Sequence, residues 1–140
     1  MAVLKVEPNQ GKFKLGESFQ VKILLDTKEW QTDAADIRLR FPPQMLSVSK
    51  IIPGQIYDDY PAQKVDADNG VIIINGISFL NKTFGGKGIF ATLILKGIKP
   101  GNANLIFEYT PSSTTDSNVV ATKIAKDVLG EVEGASFEIY

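Results

Sequence analysis

The residue types that carry most enzyme chemistry near neutral pH are absent from this chain. Its 140 residues include no histidine and no cysteine. Histidine is the side chain that titrates there unperturbed, and histidine and cysteine are the usual ligands of zinc, copper, haem and iron–sulfur clusters. A Ser-His-Asp triad is therefore excluded. The glycines at 85, 86 and 88 form no phosphate-binding loop because no Gly-Lys-Ser/Thr follows them. The composition favours a non-catalytic module over an enzyme.

Two carboxylate-rich segments are the remaining candidates for metal chemistry. Asp66-Ala67-Asp68-Asn69-Gly70 offers oxygen ligands suited to a hard cation, but it lacks the bidentate glutamate and the spacing of a calcium loop. Asp58-Asp59 is a weaker candidate of the same kind. Nothing marks two carboxylates as facing a cleft, as glycoside hydrolysis requires. We predict a polar turn at 66–70, and neither a metal site nor a cofactor on this chain.

Charged residues recur along one side of a predicted strand. Asp36, Arg38 and Arg40 alternate with apolar residues and point away from the predicted core. Arginine is enriched at interaction hot spots, so these residues form a candidate recognition surface. The competing interpretation is a solvated face whose charges discourage aggregation. Ile73 and Asn75 lie on the side opposite Ile72 and Ile74, and they extend this surface unless both sides of their strand are buried.

Aromatic residues in predicted loops suggest a second hypothesis. Trp30, Tyr57 and Tyr60 form a sugar-binding platform if their rings are exposed and coplanar. The competing interpretation is that they cover the open end of the core, since tryptophan is strongly buried on average. Exposure of the three side chains decides between these interpretations.

The elements that position these residues are strands. Phe19, Val21, Ile23 and Leu25 alternate with polar residues. Ile37, Leu39 and Phe41 do the same until Pro42-Pro43 ends the pattern. Further segments predict about nine short strands at roughly ten-residue spacing, which is typical of an all-β sandwich or barrel. The remaining expectations are an irregular stretch from Gln55 to Gly70, a strand from Val71 to Leu80 interrupted at Gly76, a Ser/Thr-rich loop from Pro111 to Asn118, and at most one helical turn between Ile124 and Leu129.

Composition bounds the class of protein further. The 15 basic and 16 acidic residues nearly cancel and show no basic stripe, so a nucleic-acid partner is not expected. The apolar runs are too short to span a bilayer, and no signal-peptide pattern opens the sequence. We expect one domain covering residues 1–140.

Several segments, in this order and at this spacing, resemble cohesin domains. The closest match is Gly88-Ile89-Phe90-Ala91-Thr92-Leu93, which is similar to the central strand of that family. Asp36 occupies the family's outward aspartate position, while Ala34 stands where an asparagine is frequent. The other matching segments are 11–21, 35–43, 46–48, 54–56, 127–130 and 134–139.

The resemblance implies a nine-stranded jelly-roll β-sandwich of the cohesin type, a fold shared with some carbohydrate-binding modules. It also implies a non-catalytic module, extracellular or on the cell surface, that docks a dockerin-type protein through the strand carrying Asp36, Arg38 and Arg40, with Ile73 and Asn75 beside it. Any calcium in the assembly is expected on the partner. The alternatives are a carbohydrate-binding module that holds a polysaccharide through Trp30, Tyr57 and Tyr60, and a structural spacer of a surface protein.

Overall fold

The computed structural model describes residues 1–111, 113 and 115–140. These residues form strands, turns and loops, and none of them lies in a helix. The strands, in chain order, are β1 (Ala2–Glu7), β2 (Gln10–Phe13), β3 (Ser18–Asp26), β4 (Thr32–Arg40), β5 (Leu46–Pro53), β6 (Asp59–Asp66), β7 (Val71–Ile77), β8 (Lys87–Gly97), β9 (Gly101–Phe107), β10 (Asn118–Ala121), β11 (Lys126–Asp127), β12 (Leu129–Glu133) and β13 (Ala135–Ile139). The predicted all-β jelly-roll sandwich is confirmed.

Five strands form the first sheet, in the order β12-β1-β3-β8-β5. Strand β1 pairs in parallel with β12 and antiparallel with β3. The long strand β8 lies between β3 and β5 and pairs antiparallel with both. The strand carrying the predicted central motif, Gly88 to Leu93, therefore lies inside a sheet rather than at its edge.

The second sheet is organised around β4. One side of β4 pairs antiparallel with β7 from Ala34 to Arg40, and β7 in turn pairs with the edge strand β6. The other side of β4 pairs with β10 over its first half and with β9 at Leu39 and Arg40. Strands β13 and β2 continue the sheet beyond β9, and β11 continues it beyond β10. Strand β4 thus carries neighbours on both sides.

A single apolar cluster fills the space between the two sheets. Ile23 and Leu93 from the first sheet and Ile37 and Ile72 from the second are fully buried. The predicted alternation is confirmed, because all seven apolar residues predicted to point inward are buried, four on β3, two on β4 and Phe41 directly after β4. Successive side chains of a strand point to opposite faces. Because the apolar side chains of β4 point inward, the polar residues between them lie on its outer side.

Three expectations about individual segments need correction or completion. The stretch from Gln55 to Gly70 is not irregular throughout, because Asp59–Asp66 forms the edge strand β6. The described residues form 13 strands rather than about nine, and the added ones are short, such as Lys126–Asp127. The predicted loop at 111–118 includes positions 112 and 114, which lie outside the described residues. No helix in the described ranges is long and apolar enough to cross a membrane.

Candidate functional site

The outer side of β4 and its neighbours forms one continuous surface, here called the β4–β7 face. Residues opposite each other in an antiparallel ladder point to the same side, so the strand register defines its members. Arg40 pairs with Val71, Arg38 with Ile73 and Asp36 with Asn75. Other members are Ala34, Asp59, Ala62, Lys64, Asp66, Ile77, Ile106, Glu108, Asn118 and Val120, supplied by β4, β6, β7, β9, β10 and the segment after β9.

The five residues predicted for a protein-docking site lie together on this face. Asp36, Arg38 and Arg40 follow one another along β4, and Ile73 and Asn75 lie beside them on β7. The juxtaposition follows from the antiparallel register, which sequence alone does not give. Their role in binding stays a prediction.

The Asp36 carboxylate is held by amides from both neighbouring strands. The Asn75 side-chain amide donates to Asp36 Oδ1. The Asn118 amide lies 3.4 Å from Oδ2 and also donates to the backbone carbonyl of Asp116 at 2.9 Å. An ionised carboxylate gains most from donors that are already oriented. Asp36 is therefore fixed in the middle of the face, and Asn75 is part of that arrangement.

Glu108 organises the two arginines and was not among the predicted site residues. Its carboxylate accepts from Arg38 Nε at 2.8 Å and from Arg40 Nη1 at 2.6 Å. These hydrogen bonds, the one from Arg38 first, hold the pKa of Glu108 below its ordinary value. Glu108 follows β9 and is 70 residues from Arg38. Its only sequence signal is that it continues the outward alternation through Asn104 and Ile106.

The apolar residues of the face are partly covered. Ile73 is half-buried between its cross-strand neighbours Arg38 and Lys64. Val71 is only 5% exposed although it points to the same side, so the interpretation that both sides of this strand are buried is correct for Val71. Ile106 is 57% exposed beside Arg40. The face thus combines a polar centre with exposed aliphatic surface.

A loop tip beyond β7 adds apolar surface that was not predicted. Phe79 is 55% exposed and Leu80 is 90% exposed. The Asp58 carboxylate fixes this tip, because it accepts from the Phe79 backbone N–H at 2.8 Å and forms an ion pair with Lys82 at 3.5 Å. Exposed aromatic and aliphatic side chains next to a structured face are typical of interaction sites.

The aromatic platform proposed for sugar binding is not formed. Tyr57 and Tyr60 are 4% and 8% exposed, and both rings pack edge-on against Phe90 in the core. Trp30 is partly buried and packs against the same cluster, with its Nε1 inaccessible. A sugar-stacking ring must present its face to solvent, which these two tyrosines do not do. The expectation that Trp30, Tyr57 and Tyr60 form a carbohydrate site is therefore wrong, and they close one end of the sandwich instead.

The carboxylate-rich segment at 66–70 is the polar turn that was predicted. Asp66 accepts from the Asn69 backbone N–H at 3.1 Å and from its amide at 2.9 Å, and the Gly70 N–H donates to the Asp66 carbonyl at 2.8 Å. The two hydrogen bonds from Asn69, that of its side-chain amide first, lower the pKa of the Asp66 carboxyl. Within the described ranges, no group of three acidic residues is placed to hold a metal ion.

Comparison with known proteins identifies the fold. The chain superimposes with a TM-score of 0.80 on the third cohesin of ScaC from Acetivibrio cellulolyticus, in complex with the ScaB dockerin, at 15% identity over 99% of both chains. A non-cellulosomal cohesin from the archaeon Archaeoglobus fulgidus gives 0.74 at 12% identity, over 99% of this chain and 91% of that one. CaCohA2 from Clostridium acetobutylicum gives 0.73 at 14% identity, over 99% and 90%.

The chain therefore has the cohesin fold, as the sequence resemblance implied. No protein-family model matches the sequence, and no curated protein sequence does. Identities of this size show the shared architecture and leave the function to be argued from the site.

Proposed function

We propose that this chain is a non-catalytic protein-binding module whose partner, a dockerin-type protein, docks on the β4–β7 face. The observation that carries the proposal is the ordered polar array at the centre of that face: Asp36 fixed by two amides, and Arg38 and Arg40 fixed by Glu108. Polar groups ordered before binding lose less conformational entropy when a partner arrives. Charges in such an interface set orientation, and the surrounding aliphatic side chains supply affinity.

The shape of the face also supports this function. The face is the outer side of adjacent paired strands, whereas small ligands bind in concave pockets, so we infer a helix or a pair of helices as the docked element. Three of the similar solved structures are complexes of a cohesin with a dockerin, among them CaCohA2 with a variant of CaDoc0917. We place this module in an extracellular or cell-surface assembly, with any calcium held by the partner rather than by this chain.

The direct test is calorimetric titration of the chain with a panel of recombinant dockerins, in calcium and in EDTA. The panel includes the ScaB dockerin and CaDoc0917, which occur in the complexes above. We expect at least one dockerin to bind in calcium and to lose affinity in EDTA. Failure of every dockerin, with the chain folded, contradicts the proposal and favours a structural spacer.

Two matched variants locate the binding surface. Arg38→Glu reverses a charge at the centre of the β4–β7 face. Lys22→Glu reverses the charge of an exposed side chain on β3, in the other sheet. We expect Arg38→Glu to weaken binding at least about tenfold and Lys22→Glu to leave it unchanged. Equal affinity of both variants contradicts docking on this face.

A further inference from the structure

Every guanidinium group of the chain lies on the β4–β7 face. Arg38 and Arg40 are the two arginines in the sequence, and all other basic residues are lysines. They are two positions apart on β4, so their side chains leave the same side of the sheet. A solvated surface needs only charge, which lysine supplies equally well. Arginine differs in offering a planar fork of donors that matches a carboxylate.

The two guanidinium groups are held in place, but most of their N–H donors make no hydrogen bond within the described residues. Glu108 engages Arg38 through Nε and Arg40 through Nη1. Each guanidinium carries five N–H donors, and no other residue in the described ranges accepts a hydrogen bond from either one. The Arg38 and Arg40 side chains are 35% and 55% exposed, so the remaining donors are open to solvent. Two cations share one anion, which leaves one net positive charge.

Charges on the β4–β7 face are separated along the strands. Lys64 lies across Ile73 from Arg38, two strands and about 10 Å away between backbones, and Asp66 lies in the same way across Val71 from Arg40. The charges of Lys64 and Asp66 therefore offset each other at this end. Asp36 and Asp59 lie toward the other end, where Asp59 pairs with Ile77. The end of the face around Arg38 and Arg40 therefore keeps the one net positive charge of the two arginines that share Glu108.

We propose that the docking partner presents acidic side chains opposite Arg38 and Arg40. A carboxylate there accepts from the free donors of both forks and completes an alternating array of two guanidiniums and two carboxylates with Glu108. Glu108 is then a positioning residue, because it fixes both forks before the partner arrives. This inference rests on the proposed docking function and adds to it the chemistry of the partner.

The spectroscopic test exploits the small number of arginines. A 15N-labelled chain has two arginine Nε–Hε signals to follow. The probes are three capped, alanine-based helical peptides that carry Glu, Gln or Lys at i, i+3, i+4 and i+7 along one face. At low salt we expect the Glu peptide to shift both signals at least about fivefold more than the Gln peptide, and added salt to suppress the effect. Equal shifts with all three peptides, or none with the Glu peptide, overturn the proposal.

Variants separate the arginine fork from simple positive charge. Arg38→Lys/Arg40→Lys keeps the charge and removes the fork, and Lys22→Gln removes one charge from the other sheet. We expect the lysine double variant to lose most of its affinity for the Glu peptide, and Lys22→Gln to retain it. Full retention by the lysine variant rules out fork recognition. Thermal unfolding of each variant verifies that it is folded.

The dockerin titrations distinguish failure of this inference from failure of the proposed function. If a dockerin binds and Arg38→Gln/Arg40→Gln leaves its affinity unchanged, docking stands and acidic recognition by these arginines is wrong. If no dockerin binds while the Glu peptide shifts both arginine signals selectively, acidic recognition stands and the dockerin partner is wrong.

Discussion

The hydroxyl groups of Tyr57 and Thr32 lie 2.7 Å apart at a buried end of the sandwich. Thr32 also donates to the Phe84 backbone carbonyl at 2.9 Å, so the hydroxyl proton between the two residues comes from Tyr57. This chain of hydrogen bonds ties the segment before β6 to the start of β4 and to the loop before β8. Tyr57 is thereby a structural residue with its polar atom satisfied.

Replacing Tyr57 should cost stability, whereas the equivalent replacement of Tyr60 should not. Tyr57→Phe removes the donor to Thr32, and we expect unfolding in urea to show a loss of about 1 kcal/mol. Tyr60 is the matched control because its buried hydroxyl has no hydrogen-bond partner in the described ranges. Tyr60→Phe should be neutral or slightly stabilising, since a desolvated hydroxyl is removed. A larger loss from Tyr60→Phe than from Tyr57→Phe contradicts this assignment.

The same tyrosines predict an alkaline limit of stability. Burial raises the pKa of Tyr57 far above its ordinary value of 10.0 and raises the pKa of Tyr60 to about 12. A raised pKa gives stability that is complete below pH 10 and is lost as the pH rises through the folded-state value.

We therefore expect the unfolding midpoint in urea to fall between about pH 10 and pH 12, with tyrosinate absorbance appearing on unfolding. Tyr57→Phe/Tyr60→Phe should flatten the pH dependence. An unchanged slope in this double variant indicates that other groups set the alkaline limit.

The alternation of residues along β3 and β4 was sufficient to predict which side of each strand is buried. A half-buried strand shows a two-residue apolar period in its sequence, so Ile37 and Leu39 could be assigned to the buried side, and both are buried. Strand β6 could not be predicted in the same way. Most of its residues are exposed, since it is an edge strand, and Pro61 lies within it. Its pairing with β7, and not its own sequence pattern, makes it a strand.

Two adjacent isoleucines lie on opposite sides of the second sheet, and truncating them should cost different amounts of unfolding free energy. Ile72 is fully buried, so Ile72→Ala should cost about 2–5 kcal/mol of unfolding free energy. Ile73 is half-buried on the β4–β7 face, so Ile73→Ala should cost about 1 kcal/mol or less.

In dockerin titrations the order should reverse, with Ile73→Ala weakening binding more than Ile72→Ala at a temperature where both variants are folded. Chemical denaturation and calorimetry measured on the same preparations give both quantities. Equal binding losses for the two variants count against the β4–β7 face as the interface.

The site was predicted less completely than the fold because its parts come from distant segments. Asp36, Arg38 and Arg40 share a strand, so alternation alone puts them on one side. Glu108 contacts the two arginines only because β9 pairs with β4, and the local sequence does not indicate that pairing. The aromatic hypothesis failed for a related reason, because loop residues such as Tyr57 lack a period that indicates their exposure.

The stability that Glu108 contributes to the folded chain should be lost at acid pH. Its pKa is lowered from 4.5 by the hydrogen bonds from Arg38 and Arg40, so its contribution is complete above pH 4.5 and is lost as the pH falls through the folded-state value. Glu108→Gln should destabilise the chain by under about 1 kcal/mol at pH 7. The difference from the wild type should shrink below pH 4.5. In the Arg38→Gln/Arg40→Gln background the same substitution should show no such pH dependence, and a persisting one argues against this ion pair as its cause.

At the loop tip after β7, a substitution should weaken partner binding and leave the stability of the chain unchanged. Leu80 is 90% exposed and Asp58 orders the loop beneath it, so Leu80→Ser should leave thermal unfolding unchanged. If a partner covers the β4–β7 face and reaches this tip, the same substitution should weaken dockerin binding about tenfold, because an exposed aliphatic group held in place contributes affinity by burial. Ile124→Ser, at an exposed turn between β10 and β11, is the matched control. A dockerin that binds Leu80→Ser and Ile124→Ser with wild-type affinity does not extend to the loop tip, and its footprint is then confined to the strands.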